Sequence, residues 1–112
     1  MIIAIGVDIV EVERIRLAMR DPRFARRILT STELELASNA QFVSGRWAVK
    51  EAVAKAVDVQ LSWHDVEVLP DERGRPVARI VHDKFDSAEF RLHVSISHEK
   101  GHAVGMAVVE TA

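Results

Sequence analysis

Apolar and polar positions alternate over residues 2–10. Ile3, Ile5, Val7 and Ile9 share one side; Ile2, Ala4, Gly6, Asp8 and Val10 share the other. A period of two with this many β-branched residues predicts a strand. From Glu11 to about Arg20 the period lengthens, with Val12, Ile15 and Met19 at helical spacing, and Pro22 breaks that helix. Phe24, Ile28 and Leu29 would pin a further short turn to the core. Thr30-Ser31-Thr32-Glu33 has the form of a capping box and predicts a short helix ending near Ser38-Asn39. Arg46 to Ala56 holds neither Gly nor Pro and is rich in Ala, so the main helix runs on to about Val57. Its apolar residues do not keep to one stripe: Phe42, Val49, Val53 and Ala56 cover one side, Val43, Trp47, Ala54 and Val57 another. A helix apolar most of the way round is wedged inside a fold.

Ser62 to Leu69 reads as a strand through Val66 and Val68, Asp71 to Gly74 as a turn, and Pro76 to Val81 as the return strand of a hairpin. Residues 83–90 show no clear period and fit one helical turn. Arg91 to His98 alternates again, with Leu92, Val94, Ile96 and His98 on one face; Ala103 to Val109 forms a last strand of small and aliphatic residues. This order predicts an α+β fold, a mainly antiparallel sheet packed on a long central helix, in one domain over residues 1–112. The final strand, with small residues at Ala103, Gly105 and Ala107, is expected to offer a flat apolar face for self-association.

Composition narrows the function. The net charge is -2, which argues against bulk nucleic-acid binding. There is no cysteine, hence no disulfide framework, thiolate nucleophile or cysteine metal site. His64, His82, His93 and His102 show no ligand spacing, and there is no P-loop or nucleophile elbow. The opening Met-Ile-Ile-Ala-Ile-Gly lacks the basic start of a signal peptide, and no apolar run has the length of a membrane span, so a cytoplasmic protein is expected.

Four ionisable residues project from the apolar helix: Arg46, Lys50, Glu51 and Lys55. Such groups must be paired, or must reach a cleft or ligand. Glu51 and Lys55 have the spacing of a surface ion pair. They equally fit a metal ligand with a phosphate partner one turn on, and the helix alone leaves both readings open. Asp8, on a strand face with small neighbours, is either a cap for the next helix or a second acid for the same site. Between Arg14 and Arg27 stand six arginines (14, 16, 20, 23, 26 and 27) against Asp21 alone. They form either a solvated face or a docking surface for an acidic partner. Ser95-Ile96-Ser97-His98 puts hydroxyls and an imidazole at one strand end, where His98 is either half-buried and hydrogen-bonded or part of a site.

Two segments in this order, Gly6-Val7-Asp8-Ile9-Val10-Glu11-Val12-Glu13-Arg14-Ile15 and the run from Ser44 to Ala56, resemble the signatures of the bacterial holo-[acyl-carrier-protein] synthases, the small 4′-phosphopantetheinyl transferases. The segments from Ser62 to Val68 and from Val94 to His98 are similar to later parts of that family. The resemblance implies a 4′-phosphopantetheinyl transferase-like fold. It also implies transfer of phosphopantetheine from coenzyme A to a serine of acyl carrier protein, with release of adenosine 3′,5′-bisphosphate, in the service of fatty acid biosynthesis. By position, Asp8 and Glu51 would hold Mg²⁺, Lys55 would contact phosphate, and Arg46 and His98 would lie near the coenzyme A phosphates. Arg14, and with it Arg16 and Arg20, would meet the carrier protein, and the enzyme would be a homotrimer with active sites between subunits. Two acids from separate elements suit Mg²⁺, which completes its shell with phosphates and water. The serine needs a base, for which Glu51 and a metal-bound water are both open. The chain departs from the family at Asp58-Val59-Gln60, where a glycine-containing loop is usual, and between Glu35 and Arg46, which is shorter. Two rival readings remain: a Mg²⁺-dependent nucleotide phosphohydrolase, and a carrier-protein-binding module without catalysis.

Overall fold

A computed structural model describes all residues, 1–112. Strand β1 (Ile2–Glu11) leads into helix α1 (Val12–Ala18), then α2 (Arg23–Ile28) and α3 (Ser31–Leu36). The long helix α4 (Ala40–Ala56) follows. Strands β2 (Val66–Pro70), β3 (Pro76–Ile80), β4 (Phe90–His98) and β5 (His102–Thr111) complete the chain. The α+β class and antiparallel pairing agree with the sequence reading. The strands form two sheets, not one: a three-stranded sheet in the order β1-β5-β4, and the hairpin β2-β3.

Local chemistry explains the boundaries. Thr30 caps α3 by accepting from the Glu33 amide at 3.2 Å, while the Glu33 carboxylate accepts from the Thr30 amide at 2.8 Å. Asn39 caps α4 in the same way, its side chain accepting from the Phe42 amide at 2.9 Å. Gly74 turns the β2-β3 hairpin at φ 81°, where a side chain would be strained. The strand expected from Ser62 begins only at Val66. Ser62 and Asp65 form their own capping box around a 3-10 turn, Trp63–Asp65, which delays the strand by four residues. Residues 83–89 form turns and no helix, and Phe90 already begins β4.

The core is built on both sides of α4, of which eleven of 17 residues are buried. One cluster joins Val49, Val53 and Ala56 to Val66, Val68, Ile80 and Val109. The other joins Val43 and Ala48 to Val10, Ile15, Ile28 and Leu29. The helix touches the sheet without intervening side chains at two glycines. A Cβ on Gly6 would stand 2.0 Å from the Ala52 carbonyl oxygen. One on Gly105 would stand 2.4 Å from the Ala48 carbonyl carbon and the Val49 nitrogen.

This contact corrects one expectation. Ala103, Gly105 and Ala107 face α4 and are buried, because only small residues let the helix backbone settle there. The apolar face left open is the opposite one. It carries Ile3, Ile5, Val7 and Ile9 of β1, half or more exposed, beside Met106 of β5. Val7 stands directly across from Met106, and Ile5 across from Val108.

Because the obstructing atoms at Gly6 and Gly105 are backbone, they cannot rotate aside. Gly105→Ala is expected to cost about 3 kcal/mol or more, the upper end for overpacking. Gly101→Ala, where a Cβ meets nothing within 4 Å, should lie within about 0.5 kcal/mol of wild type. Urea unfolding of the two variants checks the difference, and equal midpoints would refute the close contact.

Candidate functional site

Asp8 lies on the helix-facing side of β1, paired in register with Gly105. Its carboxylate does not cap α1; the position preceding that helix is Glu11, which makes no side-chain cap. Asp8 instead accepts from Lys55 Nζ at 3.2 Å, and the same ammonium donates to the Val7 carbonyl at 2.9 Å. The surface pair between Glu51 and Lys55 is therefore not formed. Lys55 reaches across to β1, where two oxygens are available, and leaves Glu51 without an ion-pair or hydrogen-bond partner. Glu51 lies one turn before Lys55 on the same flank of α4. It lines a cavity of about 290 Å³ with Lys50, Ala54, Leu61, Ser62, Trp63 and Val66.

Lys50 belongs to a different arrangement. It is 3% exposed and its ammonium meets the fully buried Glu33 carboxylate at 2.6 Å. Burial pushes the Lys50 ammonium below its ordinary pKa, and the bond to Glu33 acts against that shift. Glu33 shows in the sequence only as the last residue of a capping box. The signal for its second role was the cation at Lys50 on a helix with no polar side.

Arg46 and His98 stand on the other flank. Arg46 and Lys55 are nine residues apart, which puts them about half a turn from each other around α4. The Arg46 guanidinium lies 4.1 Å from the centre of the Phe42 ring. It is only 9% exposed, and its Nε is buried without a partner. Burial lowers its pKa, opposed by the charge of Glu33. His98 ends β4 and rests beside the neighbouring residue of α4, since a Cβ on Gly45 would lie 3.4 Å from its ring. His98 also lines a recess of about 320 Å³ with Ile9, Ser97, Glu99, His102 and Val104. Within one chain, then, Asp8 and Lys55 meet at the β1 edge, with Glu51 on that flank. Arg46 and His98 lie toward the β4 edge.

The arginine segment is partly neutralised. Arg16 pairs with Glu13, and Arg23 with Asp21 at 2.9 Å. Arg14 and Arg20 are exposed, with no ion pair. Arg14 lies 5.6 Å from the centre of the Trp47 ring. That ring is part of a ladder: Phe24 stacks on Trp47 at 5.8 Å, and Trp63 meets Trp47 at 4.6 Å. Asp58, Val59 and Gln60 lie just beyond the end of α4 and line an open cleft of about 550 Å³ with Leu61, Ser62, His82 and Lys84.

No three His, Cys, Asp or Glu side chains come together as a metal cage. No helix is long and apolar enough to cross a membrane. The arrangement offers two groups suited to anions: an exposed lysine with Asp8 and Glu51 on one flank of α4, and on the other a buried arginine with an unpartnered donor near a histidine at the end of β4.

Comparison with known proteins fits that chemistry. Residues 4–107 match the model of the 4′-phosphopantetheinyl transferase superfamily. The holo-[acyl-carrier-protein] synthase of an Exiguobacterium species is 44% identical over 98% of this chain and 93% of its own. That of Halalkalibacterium halodurans is 40% identical over 98% and 97%. The crystal structure of the Bacillus anthracis holo-(acyl-carrier-protein) synthase, in complex with CoA (3′,5′-ADP), covers 100% of this chain and 99% of its own. It superimposes with a TM-score of 0.87 at 37% identity. The Helicobacter pylori synthase, in complex with coenzyme A, gives 0.85 at 30% identity, over 95% of this chain and 99% of its own. With the family model matching residues 4–107 and relatives 40–44% identical over 98% of its length, the chain belongs to the 4′-phosphopantetheinyl transferase superfamily.

Proposed function

We propose that this chain transfers 4′-phosphopantetheine from coenzyme A to a serine of apo-acyl carrier protein, in the service of fatty acid synthesis. The serine oxygen bonds to the phosphorus that carries the pantetheine, and the bond from that phosphorus to adenosine 3′,5′-bisphosphate breaks. The observation that carries this reading is the Asp8–Lys55 contact, which joins the two sequence signatures of the family at one place.

Asp8 and Glu51 are the residues that would hold Mg²⁺. Glu51 has no partner of its own, and Asp8 has one oxygen uncommitted to Lys55, so two carboxylates remain for an ion whose other ligands are phosphate and water. Bound there, the ion supplies positive charge to the pyrophosphate as its bond breaks. Lys55, about half exposed, can exchange Asp8 for a phosphate oxygen and stabilise the leaving group. Arg46 holds a further phosphate, for which its partnerless buried Nε and lowered solvent access prepare it. His98, which rests beside Gly45 on that flank, adds a hydrogen bond. No covalent enzyme intermediate is required. The cytoplasm, where coenzyme A and carrier protein meet, is the compartment this reading needs.

Two groups on opposite flanks of α4 suggest how the site is completed. In a homotrimer, the Asp8–Lys55 flank of one copy meets the Arg46–His98 flank of the next. The exposed row Ile3, Ile5, Val7 and Ile9 supports assembly, since a patch of this kind rarely stays in water. Arg14 on the Trp47 ladder, with Arg20 nearby, presents positive charge above an aromatic surface to the acidic carrier protein. Arg16, held by Glu13, contributes less.

Mass analysis of apo-carrier protein after incubation with the enzyme, coenzyme A and Mg²⁺ tests the reaction, and an unmodified carrier would reject it. Asp8→Asn and Glu51→Gln should each lower turnover about a hundredfold with circular dichroism unchanged. Near-normal Mg²⁺-dependent turnover in either variant would rule out the shared ion. Light scattering at micromolar concentration should give a trimer mass, and Ile5→Lys should yield monomers. A wild-type monomer would rule the assembly out. Arg14→Glu should raise KM for carrier protein several-fold and leave KM for coenzyme A unchanged, with added salt acting the same way on wild type. Equal effects on both substrates would make the arginines a solvated face.

A further inference from the structure

Lys50 and Glu33 are the most buried ionic pair of the molecule, and no step of the reaction uses them. Their bonds reach five segments. The Lys50 ammonium donates to Glu33 Oε1 at 2.6 Å, to the Ile28 carbonyl at 2.8 Å and to the Trp63 carbonyl at 3.1 Å. Those three bonds use all its hydrogens. Glu33 Oε1 also accepts from the Thr30 amide at 2.8 Å, and Oε2 from the Val68 amide at 2.8 Å. The pair thereby ties α4 to the end of α2, the start of α3, the 3-10 turn and β2.

Its position matters more than its bond count. Lys50 precedes Glu51 on α4, and both line the 290 Å³ cavity whose opposite wall is Leu61, Ser62 and Trp63. The Trp63 carbonyl held by Lys50 fixes that wall. The same residue's ring rests on Trp47, beneath Arg14. One ammonium therefore spaces the wall facing Glu51 and steadies the aromatic surface beside it. With every donor committed inside the protein, it has none for a substrate.

We infer that the buried Lys50–Glu33 pair is a positioning device for the transfer reaction, holding the Leu61–Trp63 wall at a fixed distance from Glu51. This rests on the transferase reading. It predicts a cost in turnover that is separable from any cost in stability. Small displacements of a catalytic wall cost turnover on the order of ten- to a hundredfold.

The test uses the full chain with apo-carrier protein, coenzyme A and Mg²⁺, with wild type run first. No transfer by wild type would reject the transferase reading and overturn this inference with it. With wild type active, Lys50→Met and Glu33→Gln each strand a buried polar group and should lower the melting temperature. The double variant strands no charge and should recover most of it. Its kcat, measured well below its melting temperature, should stay about ten- to a hundredfold low, with KM for coenzyme A within about twofold of wild type. Recovery of kcat together with stability would show a merely structural pair and overturn the inference. A raised KM for coenzyme A at normal kcat would overturn it too, by placing Lys50 on the ligand. If the double variant does not fold, Lys50→Arg decides, since it keeps the buried charge on Glu33 while the longer guanidinium displaces the Trp63 carbonyl and the wall it holds. It should show the same loss of kcat, and normal turnover would overturn the inference.

Discussion

Everything in this fold depends on how closely one helix lies on one sheet. At Gly6 and Gly105 the backbone of α4 meets β1 and β5 with no side chain between them. That approach gives β1 and α4 almost no freedom to slide, because the touching groups are peptide units with fixed geometry. It also explains why a strand residue and a helix residue 47 positions apart, Asp8 and Lys55, stand at hydrogen-bond distance. A spacing set by bulky side chains would have left them separated by a layer of core. The glycines thus act on chemistry through distance alone.

The same closeness forces a settlement of charge. A helix buried on most of its circumference carries four ionised residues, and each meets a different fate. Lys50 is satisfied inside the protein by Glu33 and two carbonyls. Lys55 crosses to β1, Glu51 is left free at a cavity, and Arg46 is buried with a donor unanswered. The first is a solved problem and belongs to architecture. Lys55 is paired at the surface, whereas Glu51 and Arg46 are unsolved within the chain, and unsolved charge beside a cleft is where ligands gain affinity.

How much of this was legible in the sequence follows the range of the forces involved. The capping box at Thr30, the hairpin around Gly74 and the limits of α4 depend on neighbours a few residues away, and all were readable. So was the unease of charged residues on an apolar helix. Their partners were not readable, because pairing is decided by tertiary approach. Lys55 took Asp8 over Glu51, although Glu51 has the favourable helical spacing. Lys50 took Glu33, known beforehand only as a cap. The small residues of β5 misled for a related reason: smallness marks contact, yet the pattern alone does not say which face is touched. The 3-10 turn at Trp63 escaped notice because Ser62 and Asp65 sit inside what otherwise alternates like a strand. Asp8, Glu51, Lys55, Arg46 and His98 were identified by resemblance to a family. The geometry adds that they fall into two groups on opposite flanks of α4.

The aromatic ladder has one more consequence. The chain contains two tryptophans, and both are in it, with ring centres 4.6 Å apart. All of the indole emission of this protein therefore arises from one patch, at the border between the arginine segment and the cavity of Glu51. Indoles at that separation share excitation, and their emission responds to small changes in ring overlap and hydration. The molecule carries a built-in optical label there, placed without any engineering. Events on that surface can be followed in ordinary ultraviolet light, while those at the Arg46 flank stay dark.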